Sequence, residues 1–575
     1  MKKTHMALFL VLTMLLTLCA AGQTASADGP QISEKELTFY LGDPEMSQTG
    51  PVYFAGDSDV PYLALSDWAD LMTMLLAQNE AYNVTCTIDG ETGTLTREDG
   101  YTAVFDAAED TITFEDFDAF MRPDSTKVII DVLSADNPSP DGDKSFFRRL
   151  DSSYERYGSI LTLKLSDYDI DILSDGQEIY VPAQTLSDFF LSLKYINLCY
   201  NGEAIFIAPY QGLVASDGTH TPYGDLYYSV QPAQRSQAMA DFGYNELCLA
   251  LDSLYGLKQS HGFTDFDTLF KQSGLEAGLR STDPAEADEA LYRLINFHMD
   301  DQHSAFLSAS AIAPADTTEK LNELGAGRAS TAYVQQAKRY DAARSAAYPN
   351  GVPAYEEIGN TAYITFDSFE STPATINYYD FAPTEENVDT IGILLRAYAQ
   401  IMRDGSPIEN VVLDLSMNGG GDADTAVFTI SSFLGQGYVS LTNTMTGAMA
   451  IGEYEVDLNR DGQFDEGDLG LLNKNLYCIT SPISFSCGNL VPCVFKNANT
   501  VTLLGRTSGG GSCVVMPMST AWGTIFQTSG CNRLAFIKNG SFYDIDEGAV
   551  PDFILSKPAT FYDRVGLTDY INTLK

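Results

Sequence analysis

The chain has 575 residues, enough for roughly two to four domains. Hydrophobic residues make up 45% and aromatics 11%, which supplies material for packed cores and excludes general disorder. With 33 basic against 78 acidic residues the formal charge is −45; such a chain repels nucleic acid and anionic lipid, and no basic patch with interleaved aromatics is present.

Lys2 and Lys3 precede an apolar run from Met6 to Leu18, and Ala25-Ser26-Ala27 fits an A-x-A cleavage site that leaves Asp28 first in the mature chain. Residues 1–27 are thus predicted to be a signal peptide, and the protein to be secreted or attached to the cell surface. Cys19 raises a lipoprotein alternative, but Leu18 stands where a lipobox places a small residue. No later run approaches about 18 uninterrupted apolar residues, so no transmembrane segment is expected in the mature chain. Cys86, Cys199, Cys248, Cys478, Cys487, Cys493, Cys513 and Cys531 remain. Their even number permits disulfides without assigning any, and free buried thiols are equally open.

An internal repeat follows. Val60-Pro61, Leu65-Ser66-Asp67-Trp68, Cys86 and Asp89-Gly90 return as Val181-Pro182, Leu186-Ser187-Asp188-Phe189, Cys199 and Asn201-Gly202. Each copy reads as an extended lead-in, a short helix and a hairpin with a D-G or N-G turn. The pair resembles the small α+β modules called copper-amine-oxidase N-terminal-like. That resemblance implies a non-catalytic surface or scaffold role for residues 28–212, with cell-envelope components as partners. It does not imply copper chemistry, because no ligand histidines accompany it.

Residues 213–350 change to a helical period. Asp283-Pro284-Ala285-Glu286 is a helix start, with Asp as N-cap, Pro at the first position and Glu at the third. Leu291, Leu294, Ile295 and His298 then share one face. Leu321 to Ala347 reads as a charged connecting helix. Residues 351–575 alternate strands, at 362–366, 410–415, 476–480 and 500–504, with helical segments, which is an α/β pattern. The fold class expected for the whole chain is therefore multidomain α/β (α+β): a small repeat region, a helical bundle and an α/β core.

Three stretches of the core carry chemistry. Val411 to Leu415 runs through Ser416-Met417-Asn418 into Gly419-Gly420-Gly421, where backbone N–H groups can approach a ligand and form an oxyanion hole. Ile479-Thr480-Ser481-Pro482-Ile483-Ser484-Phe485-Ser486-Cys487-Gly488-Asn489 is a strand, a small-residue turn and a helix start. There the helix dipole favours a developing anion, although Ser486 could equally be a cap. Leu504 to Ser512 is a near P-loop, but Gly511 stands where the lysine is needed, so nucleotide binding is rejected.

In this order the stretches resemble the C-terminal-processing (tail-specific) serine peptidase family, with its tricorn-core branch. The D-L-R-x-N-x-G-G motif aligns with Asp414 to Gly420, Ser416 replacing arginine. The nucleophile turn aligns with Phe485-Ser486-Cys487-Gly488, and the V-G-E-x-T-x-G-K/G stretch with Leu504 to Gly511. The closing G-V-x-P-D motif aligns with Gly548 to Asp552. The resemblance implies a crotonase-like α/β (ββα) core, a protein or peptide substrate and Ser486 as nucleophile. Gly511 also removes the lysine of a Ser-Lys dyad, so another base is needed. Met299-Asp300-Asp301-Gln302-His303-Ser304 resembles the D-D-G-H-T/S turn of the tricorn-like branch, which makes His303 the general base. His303 would take the Ser486 proton, and the Cys487 N–H with that of Gly419 or Gly420 would hold the oxyanion. The orienting acid falls among Asp544, Asp546 and Glu547, with Asp546 chosen. No PDZ-like module is apparent, which weakens any reading of free C-termini. Two other readings stay open: an inactive relative that binds a peptide or apolar ligand, and an envelope scaffold built on the repeats.

The segment 457–468 fits an EF-hand loop. Asp457, Asn459, Asp461, Asp465 and Asp468 supply oxygens at positions 1, 3, 5, 9 and 12, Gln463 a carbonyl at 7, and Gly462 the sharp turn at 6. A structural Ca2+ is expected there.

Overall fold

The computed structural model describes residues 31–76, 83–122, 146–216, 218–373 and 375–574. The predicted signal peptide, its cleavage point and Cys19 lie outside the described residues.

The two repeat copies are fused into one unit. Their lead-in strands, Tyr62–Ala64 and Ile179–Pro182, pair antiparallel with Leu63 opposite Val181. They lie within a seven-stranded sheet that also contains Ser47–Ala55, Ile32–Leu41, Ala204–Pro209 and Ile196–Tyr200. Leu65–Leu76 follows the first lead-in as a helix, and helical turns over 183–194 follow the second. The predicted hairpins close at Gly90 (φ +64°) and Gly202 (φ +92°), the backbone region for which D-G and N-G turns are chosen. The first hairpin opens a five-stranded antiparallel sheet ending at Leu161–Lys164. Trp68, Phe105, Phe114 and Phe120 pack around Phe190, all of them buried.

In the helical region, the helix expected at Asp283 starts as its sequence dictates. Asp283 accepts from the Ala285 amide (2.9 Å), and Pro284 opens the helix Pro284–Arg293. That helix runs into a π-turn, Leu294–Met299, which Asp300 ends at φ +43°. Strand Ala305–Ser308 then joins a second seven-stranded sheet along Ile525–Lys538.

The sheets interlock across the boundaries drawn from sequence. Strand Phe147–Arg156, from the N-terminal region, pairs antiparallel with Met449–Val456 of the C-terminal part. The buried Asp118 carboxylate accepts from Thr446 Oγ1 (2.6 Å) and Asn443 Nδ2 (2.8 Å). Met518, Trp522 and Phe526 share one apolar core with Trp68, Leu247 and Phe270.

The α/β core is a six-stranded sheet. Tyr355–Ile358 is antiparallel to Thr361–Thr365, and Asn410–Asp414, Asn475–Thr480, Thr502–Gly505 and Phe553–Ile554 follow in parallel. Both faces are covered, which is why these strands read as continuous apolar runs. Val411, Leu413 and Cys478 face the helices Thr390–Ile401, Ala423–Leu434 and Cys487–Ala498. Tyr363, Val412 and Tyr477 face Phe561, Leu567 and Ile571 near the C-terminus. Below the glycine loop, Arg564 Nη2 donates to Asp414 Oδ2 (2.6 Å), with both side chains at most 2% exposed. Ser416, where the motif has arginine, lies against the Tyr562 hydroxyl (3.2 Å). The mixed α/β, multidomain architecture is the one expected.

Candidate active site

Ser486 follows the carboxyl end of strand Asn475–Thr480 and precedes helix Cys487–Ala498. A capping serine has extended backbone angles and an oxygen that accepts from the second or third helical amide. Ser486 has φ +54° and ψ −126°, and its side chain caps nothing. The capping alternative therefore falls. A non-glycine residue in this region stores about 1–3 kcal/mol of strain. The surroundings hold it there: the Ser486 amide donates to Gly510 O (2.9 Å), the Phe485 amide to Asn418 O (3.1 Å), and the Gly509 amide to Ser484 O (2.7 Å). Ser484 Oγ donates to Leu415 O (2.7 Å). The glycine-rich stretch rejected as a P-loop is thus a brace for the Ser486 turn.

The 418–421 loop lies against Ser486. A Cβ at Gly420 (φ +110°) would sit 2.8 Å from Ser486 Cβ and 3.3 Å from its Oγ, so this approach requires glycine. The expected amide donors need correcting. Gly419 N–H donates to Asp367 O (3.0 Å) and Gly420 N–H to Asn418 Oδ1 (2.9 Å). Asn418 folds its side-chain carbonyl back on the turn and consumes the Gly420 amide. The amides of Gly421 and Cys487 meet no acceptor among the described residues, and both residues line the same cavity as Ser486.

Gly511 also has a steric reason. At φ +89°, a Cβ there would lie 2.6 Å from the Phe485 ring. Phe485 occupies the space a lysine would need, and its ring centroid is 4.7 Å from that of His303. His303 is 7% exposed. Its amide donates to Asp301 Oδ1 (3.0 Å), and its carbonyl accepts from Gln527 Nε2 (2.8 Å). Burial pushes the imidazole below its ordinary 6.5, while the carboxylates of Asp301 and then Asp546 push the other way. His303 is therefore neutral at pH 7, the form that accepts a proton.

Ser486 and His303 line one cavity of about 1000 Å³, but no hydrogen bond joins their side chains among the described residues. Asp546 is likewise displaced from its expected task. One of its oxygens accepts from the Ser512 amide (2.7 Å) and the other from Arg533, which also lies 3.2 Å from Asp544. It braces the Gly511 loop, and it reaches His303 only through its charge. Asp301, two residues before the histidine, is the acid that acts more strongly on it. The D-x-H spacing of Asp301 and His303 is the signal in the sequence for this.

Other cavity residues were not legible in sequence. Tyr333, on helix Arg328–Ala347, donates to Ile483 O (3.3 Å). The N-terminal region, read as non-catalytic, contributes Leu193 and Tyr195. It also contributes Tyr210, whose hydroxyl donates to Gln527 Oε1 (2.9 Å).

The 457–468 loop turns as expected at Gly462 (φ +80°). Its acids serve its own amides. Asp457 accepts from Arg460 N (2.7 Å) and Gly462 N (2.8 Å), and Asp468 from Leu458 N (2.7 Å), Asn459 N (3.0 Å) and Asp465 N (3.1 Å). Asn459, Asp461 and Asp465 accept from the amides of Asp461, Gln463 and Gly467. Among the described residues no three His, Cys, Asp or Glu side chains are placed to hold a metal ion. All eight described cysteines are free.

Residues 360–548 match the model of Peptidase family S41, so the chain carries a domain of that family. Among solved structures it is similar to a lipoprotein from Streptococcus agalactiae, at 14% identity and a TM-score of 0.35 over 60% of this chain and 99% of that one. It is similar to the photosystem II D1 C-terminal processing protease at 18% identity and a TM-score of 0.26, over 34% of this chain and 42% of that one. It is similar to the tricorn protease at 16% identity and a TM-score of 0.23, over 38% and 18%. The chain thus spans less than half the length of the last two. No curated protein matches it. No helix among the described residues is long and apolar enough to cross a membrane.

Proposed function

We propose that the protein is an exported serine-type endopeptidase, with Ser486 as nucleophile and His303 as general base. The observation that carries this reading is the strained, uncapped Ser486, set at a helix N-terminus in the cavity that also holds a buried, neutral histidine. His303 turns past Phe485 to reach Ser486 Oγ when substrate enters, since apo contacts of this kind tighten in the complex. It takes the hydroxyl proton as Oγ attacks the peptide carbonyl. The amides of Cys487 and Gly421 hold the oxyanion, aided by the helix dipole. The imidazolium then protonates the leaving amine, and water repeats the sequence on the acyl-enzyme. Asp301 and Asp546 stabilise the imidazolium by charge.

Fluorophosphonate labelling tests this. An adduct on Ser486 in folded protein, lost in Ser486→Ala, is expected; no adduct overturns the reading. The second reading, a non-catalytic peptide-binding relative, is favoured by the unlinked Ser486 and His303 and by the engagement of Asp546 with Arg533. Unlabelled Ser486 together with retained peptide binding would select it. Export is tested by finding the mature N-terminus at Asp28 in culture medium or on cells.

Calcium is a separate structural proposal for the 457–468 loop. Binding would turn Asp461 and Asp468 from backbone amides toward a shared ion. Millimolar Ca2+ should then raise Tm and EDTA reverse it; an unchanged Tm ends the proposal. No step of the reaction runs through the ion.

A further inference from the structure

The second repeat copy reaches the catalytic cavity through a strained turn. Tyr195 closes the 183–194 helical stretch at φ +59°, a left-handed backbone that bulky residues seldom adopt. Its carbonyl accepts the Tyr210 amide (2.7 Å), and the two rings lie 6.1 Å apart. The turn brings Leu193, Tyr195, Ile196 and Tyr210 to the cavity, where Leu75 and Leu76 from the end of the first copy's helix join them. The Tyr195 phenol is pushed up to about 12, first by burial and then by Cys487, Tyr210 and Asp422. Tyr195 lines the same cavity as Ser486 and Cys487. Lys194, between these residues, donates to the Met121 carbonyl, and burial lowers its amine to about 7, so it brings little positive charge to the wall.

The cavity is more than an apolar hollow. Val514 and Val515 line it, on a strand, Cys513–Ser519, that pairs only with Ile525–Lys538 among the described residues. Val514 and Val515, both only partly buried, thus bring a short stretch of strand beside the apolar wall in the cavity that holds Ser486, a setting that suits an extended peptide.

We propose that the repeat module forms the specificity wall of the catalytic cavity and receives large apolar side chains of a peptide bound across Ser486. This rests on the peptidase reading for the use of the bound peptide, but not for its binding.

The test separates the two. Full-length Ser486→Ala protein is titrated, by fluorescence anisotropy, with a labelled hexapeptide carrying Leu and Phe at its centre and with its twin carrying Asp there. The apolar peptide should bind at least roughly tenfold more tightly. That preference should vanish in Leu193→Asp and shrink in the milder Ile196→Thr, each checked for folding by circular dichroism. Equal binding of the twins overturns the proposal, as does a preference that survives both folded variants. Binding of laurate with neither peptide overturns it too, in favour of a lipid. Fluorophosphonate labelling of the unmodified protein is read in parallel. Labelling without discrimination sinks the wall and spares the peptidase, whereas discrimination without labelling does the reverse.

Discussion

Ser486 is held by its own sequence neighbourhood, and His303 by a distant one. The serine turn is pinned by Asn418 and Gly510, which sit on neighbouring parallel-strand connections of a single sheet. The histidine sits on a loop fixed through Gln527, which in turn takes a hydrogen bond from Tyr210, 317 residues away from it in sequence. One half of the site is thus a rigid feature of the α/β core. The other half belongs to the interface between that core and the rest of the chain. On the proposed mechanism, a nucleophile built into a sheet would keep its strain at low cost, whereas a base carried on an interface could move to meet substrate.

The largest expected effect comes from breaking the rigid half chemically. Ser486→Ala should lower kcat/KM by about 10⁴-fold or more with Tm unchanged. A fall of less than about tenfold would transfer the chemistry elsewhere. Breaking the same half structurally comes next. Arg564→Ala leaves Asp414 charged and buried without its partner, and should cost about 3–5 kcal/mol in urea unfolding. A loss below about 1 kcal/mol would show that the pair is solvated.

The interface half should respond more gently. Gln527→Ala severs the link from Tyr210 to the His303 carbonyl and should lower kcat about tenfold while KM and Tm stay nearly constant. A matched loss in Tm would mark Gln527 as merely structural. The pH profile sharpens the contrast. The His303 pKa lies below 6.5, so kcat/KM should fall on acidification with a midpoint below 6.5, because the protonated imidazole cannot act as base. A midpoint above 6.5 would mean that a carboxylate contact, not burial, governs the ring. The smallest effect is a gain: Ser486→Gly relieves the positive φ and should raise stability by about 1 kcal/mol while abolishing activity.

The rigid half was also the legible half. Strand, turn, helix and glycine run lie close together in sequence around Ser486, so residue types and spacing sufficed to find them. The four core strands fell within a residue or two of their expected ends. Which amides near Ser486 are free was not legible to one residue, because it depends on where Asn418 places its side chain. Asp546 looked like a catalytic acid because nothing local reveals that Arg533 folds across to it. The repeat hairpins were visible from D-G and N-G turns, but the place of Ile196 and Tyr210 beside Ser486 depends on packing between segments hundreds of positions apart. Ser416 stands where the motif has arginine, and nothing local in the sequence reveals that Arg564 of the C-terminal helix pairs with Asp414.

Strand Phe147–Arg156 bears on how this protein can be handled. A shortened chain beginning near residue 213 would leave Met449–Val456 without its neighbour, an eight-residue row of main-chain donors and acceptors open to any other extended chain. Such a fragment would tend to self-associate, and a protease cutting within 147–156 would release the same liability. The modules that look detachable in sequence are, for solubility, a single inheritance.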